Sequence, residues 1–132
     1  MRNPSIFTKI INGEIPCHKI YEDEKTLAFL DINPVAPGHT LVVPKTEVEF
    51  VWDMNDTDYH AVMETVKRVA KRIKEVLQTP YVGDIIVGTD VPHAHVHVVG
   101  FSHAGELKRT LDGPGAPADD TSLAKMAEKL RF

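Results

Sequence analysis

Three features of the sequence predict an α+β fold: short antiparallel hairpins, one long amphipathic helix, and no regular alternation of strand and helix. The 132 residues suit one compact domain. With 42% hydrophobic and 26% charged residues, the composition is that of an ordinary globular protein.

Asn3-Pro4 opens a first helix, in which Ile6, Phe7, Ile10 and Ile11 recur at helical spacing until Gly13. Residues 19–22 and 26–31 are strand candidates around the polar turn Asp23-Glu24-Lys25. Two prolines and a glycine make 33–38 a loop, which leads into a strand rich in β-branched residues, 39–43, ended by Pro44. The central helix is the clearest element, because Tyr59, Val62, Met63, Val66, Val69, Ala70, Ile73, Val76 and Leu77 form one apolar stripe. Asn55 or Asp53 caps it and Thr79-Pro80 closes it. Strands 84–88 and 93–100 follow, joined by Thr89-Asp90-Val91-Pro92. Residues 111–121, rich in Gly, Pro, Ala and Asp, form a loop or ordered tail, and 122–130 form a short closing helix.

A net charge of -4 gives no general attraction to nucleic acid or anionic membranes, so an anionic ligand must be held by a local site. Lys67, Arg68, Lys71, Arg72 and Lys74 read as a solvated helix face. Cys17 is the single cysteine, which rules out an intramolecular disulfide and a thiolate metal cluster within one chain. The first residues lack the apolar core of a secretory signal, and no apolar run approaches the about 20 residues that span a bilayer. A reducing cytoplasm is the expected setting, without a membrane partner.

His93, His95 and His97 alternate, so on a strand they share one face while Ala94, Val96 and Val98 share the other. The apolar side can pack on the core, which leaves the imidazole side to a cleft or to water. Imidazole titrates near neutrality, so one ring can attack phosphorus while a neighbour carries a proton. His95, flanked on both sides, is the expected nucleophile. The same spacing suits metal ligation, with His39 or Asp90 completing the set. On the residues alone, phosphoryl transfer and metal binding both stand.

The run His93-Ala-His95-Val-His97-Val98-Val99 resembles the signature of the histidine triad (HIT) family. The stretches Ser5-Ile-Phe-Thr-Lys-Ile-Ile-Asn-Gly-Glu-Ile-Pro and Leu27-Ala-Phe-Leu-Asp31-Ile-Asn-Pro-Val-Ala-Pro-Gly-His39-Thr-Leu-Val-Val-Pro-Lys45 are similar to its amino-terminal half. Together these matches span residues 4–100 or so. The resemblance implies a HIT-like fold: a five-stranded antiparallel sheet, one long central helix and short terminal helices, usually as a homodimer. It divides the chain into a HIT core, 1–101, and a C-terminal extension, 102–132. It implies a purine nucleotide substrate and hydrolysis or transfer at the α-phosphate, with no cofactor. Carried over by position, His95 is the nucleophile and His97 a donor to phosphate oxygens, with His93 and His39 as the supporting network. Asp31 then holds the ribose hydroxyls, and Ile6, Phe7, Ile10, Ile15, Phe29 and Ile32 line the base pocket.

Two departures stand out. Many members begin Cys-Ile-Phe-Cys and use those cysteines in a zinc site, whereas Ser5 and Thr8 occupy these positions here, so no such metal site is expected. The phosphate-binding stretch before the triad is compressed to Gly88-Thr89-Asp90-Val91-Pro92. Asp90, counted with the nucleotide-binding residues, falls where a hydroxyl is expected. A carboxylate there must be protonated, bonded to a histidine or turned away from phosphate. A non-catalytic nucleotide-binding or partner-binding module is the alternative function, with a metal-dependent enzyme using the histidine strand behind it.

Overall fold

Asp23 folds the first hairpin by accepting the Lys25 and Thr26 N–H groups on Oδ1 at 2.9 and 2.8 Å. The hairpin joins β1 (Lys19–Glu22) to β2 (Thr26–Leu30) in a computed structural model that describes residues 4–89 and 91–132. With β3 (Thr40–Pro44), β4 (Tyr81–Ile85) and β5 (Val96–Phe101) they form one antiparallel five-stranded sheet in the order β1-β2-β3-β5-β4.

The register sorts the side chains. Phe29 pairs with Leu41 and Leu41 with His97, so these three share a face. Ala28, Val42 and Val96 are matched in the same way on the opposite face. That second face is covered by α2 (Asp56–Leu77), whose Val62, Val66, Val69 and Ile73 are buried in the larger core. Asn55 caps α2 by accepting the Asp58 N–H at 2.8 Å, and the helix ends where Gln78 turns left-handed at φ 57°. The closing helix α4 (Asp120–Leu130), capped by Asp119, adds Leu123, Ala127 and Leu130 to the same core. On the first face, α1 (Ile6–Ile11) seats Phe7 among Leu27, Phe29, Leu41 and Val43. A short α3 (Ala104–Lys108) follows β5. No described helix is long and apolar enough to cross a membrane.

The α+β class and the antiparallel sheet with its long helix are therefore as expected. Several boundaries differ, three of them for a reason visible in the hydrogen bonding or backbone. The first helix is capped by Ser5, whose hydroxyl accepts the Thr8 N–H, so Pro4 precedes the cap instead of opening the helix. The fourth strand is 81–85 and not 84–88, because the chain runs from the α2 terminus straight into pairing with β5 and has turned away by Gly88, at φ 81°. The fifth begins at Val96 and not at His93, because the His93 and Ala94 N–H groups bond to Val91 and Val48 outside the ladder.

Candidate active site

His93, His95 and His97 keep to the Phe7 side of the sheet although only His97 lies within β5. They do not face open water: their exposures are 0%, 3% and 5%. The Phe7 ring meets His93 and His95 edge-on at 5.9 and 5.1 Å, and the His95 and His97 rings meet at 5.1 Å. His39, at the end of the 31–39 loop and 2% exposed, reaches His97 across the β3–β5 pairing.

The partners fix which nitrogen carries each proton. The Val35 N–H donates to His39 Nδ1 at 3.1 Å, so the His39 proton sits on Nε2. That nitrogen is 2.9 Å from His97 Nδ1, which must accept, and neutral His97 therefore carries its proton on Nε2. His95 Nδ1 donates to the His93 carbonyl at 2.7 Å, so in the neutral ring Nε2 is the lone pair. His93 Nε2 donates to the Pro44 carbonyl at 2.9 Å, so its Nδ1 accepts from the Ser5 hydroxyl at 2.8 Å. Burial lowers the pKa of His39 to about 4 and also lowers that of His93, so both rings are neutral at pH 7. The result is an unprotonated nitrogen on His95 beside an N–H on His97.

Both rings open on a cavity of about 340 Å³. The structure brings Ile6, Phe7, Ile10, Ile15, Phe29, Asp31 and Ile32 together around it. Ile6 and Ile32 stay half-exposed at its rim, at 49% and 60%. Asp31 accepts the Asn33 N–H on Oδ1 at 2.8 Å, and its Oδ2 lies 3.6 Å from His39 Nε2. His93 and His39 line no part of this cavity and act from behind it. Asp90 lies outside the described residues.

Among the residues not expected from sequence, two come from distant segments of the chain. Pro114, from the Gly/Pro-rich stretch after α3, forms part of the cavity wall. Glu47 sits behind His93, accepting the Ser5 N–H at 2.7 Å and the Thr8 hydroxyl at 2.6 Å. Those bonds, the backbone one first, hold its carboxyl below the usual range. Nothing in residue spacing joins position 47 to positions 5, 8 and 93.

Two side-chain groups invite a test for metal. Ser5, Thr8, Glu47 and His93 offer two hydroxyls, a carboxylate and one imidazole already bonded to one another, which does not fit the thiolate and imidazole donors of a structural zinc site. Asp31, His39 and His97 bring ligand atoms within 4.8 Å, but the two imidazoles spend the facing nitrogens on each other. His93 spends both ring nitrogens, on the Pro44 carbonyl and the Ser5 hydroxyl, so it does not join His95 and His97 in a common ligand set.

Residues 12–104 match the model of the HIT domain. The Schizosaccharomyces pombe protein named adenosine 5'-monophosphoramidase hnt1 is 38% identical over 129 residues, which cover 95% of this chain and 94% of that one. A solved HIT-like protein involved in cell-cycle regulation from Bartonella henselae is 30% identical at a TM-score of 0.87, over 98% of this chain and 96% of that one. A zinc-bound histidine triad family protein from Mycobacterium smegmatis is 30% identical at a TM-score of 0.78, over 96% and 89%.

Proposed function

Because the chain belongs to the histidine triad family, we propose that it is a nucleotide hydrolase or transferase that works through a nucleotidyl-histidine on His95. The observation that carries this reading is the pair of fixed tautomers at the cavity wall, a lone pair on His95 Nε2 beside an N–H on His97 Nε2. The substrates are purine nucleoside phosphoramidates, adenylylated amines or dinucleoside polyphosphates. The named activity of the fission yeast relative supports the first of these.

The apolar wall formed by Phe7, Ile10, Ile15 and Phe29 takes the base, and Asp31 takes the ribose hydroxyls. His95 Nε2 attacks the α-phosphorus and forms an N–P bond as the bond to the leaving group breaks. The leaving group departs with that electron pair and takes a proton from solvent, which the attacking water gives back in the second step. His97 Nε2–H donates to a phosphoryl oxygen, where charge builds in the transition state. Water then attacks phosphorus, the N–P bond breaks, and nucleoside monophosphate is released. His39 and His93 hold the two working rings in these protonation states and touch no substrate. The same reading makes the molecule a homodimer in the cytoplasm and treats residues 102–132 as an extension of the HIT core.

His95→Ala is expected to abolish turnover of adenosine 5'-phosphoramidate while leaving AMP binding within about tenfold, because binding is spread over the pocket. Hydrolysis that survives in this variant refutes the assignment. A nucleotide adduct on the intact wild-type chain, trapped with a slow substrate and seen by mass, separates the enzyme from a binding module.

A further inference from the structure

Gly115 stands where no side chain fits. A Cβ there would lie 2.2 Å from the Pro34 carbonyl oxygen and 3.0 Å from that of Asn33. This approach lets the Gly115 N–H donate to the Asn33 carbonyl at 2.9 Å, and the Ala118 N–H to the Ile32 carbonyl at 3.0 Å. Residues 113–118 therefore run along the 31–39 loop, and they put Pro114 into the wall of the cavity that contains His95 and His97. The far end of this segment is fixed, because Asp119 caps α4 and α4 is rooted in the core.

The clasped loop does two jobs. It carries Asp31, and it carries the Val35 N–H that sets the His39 proton and so the tautomer of His97. Its other end is wedged at Gly38, at φ 80°, where a Cβ would meet Leu77 and Leu130 at 2.8 and 3.3 Å. We propose that residues 113–118 are a positioning strap for this loop: Gly115 sets its place, and Pro114 closes the nucleotide pocket beside it. Neither is a catalytic residue. The nucleotide half of the proposal rests on the function proposed above; the clasp itself does not.

The full-length Gly115→Ala chain tests both halves. Amide hydrogen exchange should speed up about tenfold in 32–39 while α2 amides keep their rates, the mark of a local opening. KM for adenosine 5'-phosphoramidate should rise about tenfold as Asp31 shifts, and kcat should fall about threefold as the Val35 N–H loosens its hold on His39 and so on the His97 tautomer. Pro114→Ala should raise the KM about threefold with loop exchange unchanged, because it removes only wall contacts. Ala116→Ser should change neither. Wild-type exchange in the Gly115→Ala loop overturns the strap, and so does an equal acceleration in α2, which marks a purely structural role. If the wild-type chain neither binds AMP nor turns over the phosphoramidate, the functional reading falls, and the exchange rates still decide the clasp.

Discussion

A proton arriving on His39 must displace the Val35 N–H from Nδ1, in a place that is 2% exposed. Burial accordingly lowers the pKa from 6.5 to about 4. Between those values the unfolded chain binds a proton that the folded chain refuses, so folding becomes less favourable as pH falls. This stabilisation is complete above pH 6.5, declines through the window, and is gone below about 4. It is worth on the order of 3 kcal/mol. His93, lowered by the same cause, acts in the same direction. An NMR titration of the His39 ring should give a midpoint near 4, and the unfolding free energy should be smaller at pH 5 than at pH 7. A His39 midpoint at 6 or higher would mean that the ring does not sit as described, and the tautomer of His97 would lose its cause.

Six residues are too few to form a helix on propensity, so α1 depends on its cap and on Phe7. Ser5 does double duty there, accepting the Thr8 N–H at 3.0 Å and donating to His93 at 2.8 Å. Ser5→Ala should therefore destabilise the protein by about 2 kcal/mol, roughly half from the lost cap and half from the lost buried hydrogen bond. Urea unfolding measures it, and a loss below about 0.5 kcal/mol would show that the cap and the His93 bond contribute little. The elements differ in how far sequence reveals them. The apolar spacing of α1 and α2 is legible, because a helix face repeats locally. The Ser5–His93 bond is not, since 88 positions separate the partners and only the finished sheet joins them. The histidine alternation shows the shared face correctly and misplaces the strand start, because side-chain alternation survives in extended chain that has left the ladder. α3 escapes for a simpler reason: five residues without a side-chain cap carry no period to read.

At the scale of the molecule, a net charge of -4 leaves anion binding to a local site, and in the proposed reading the donor at the candidate cavity is the His97 Nε2–H. Of the lining residues, Ile6, Phe7, Ile10, Ile15, Phe29, Asp31 and Ile32 were readable through family likeness, whereas the contribution of Pro114 depends on how the chain returns after β5. One surface is left over. β4 is an outer strand of the sheet, so one side of its ladder is unpaired among the described residues. Tyr81 on β4 is 58% exposed, the ring of Phe50 approaches Gly88 just past the strand, and Trp52, two residues after Phe50, is 73% exposed. An open edge flanked by aromatics invites pairing, and a second copy supplies a matching edge by symmetry. The expected species in solution therefore has twice the 14.7 kDa chain mass. Trp52→Glu provides the test, because a side chain so exposed in the single chain should tolerate the change within about 0.5 kcal/mol. Light scattering across a dilution series should show this variant moving toward the monomer while wild type stays paired. A wild-type mass of one chain at every concentration would sink the dimer, and an unshifted variant dimer would place the interface away from Trp52.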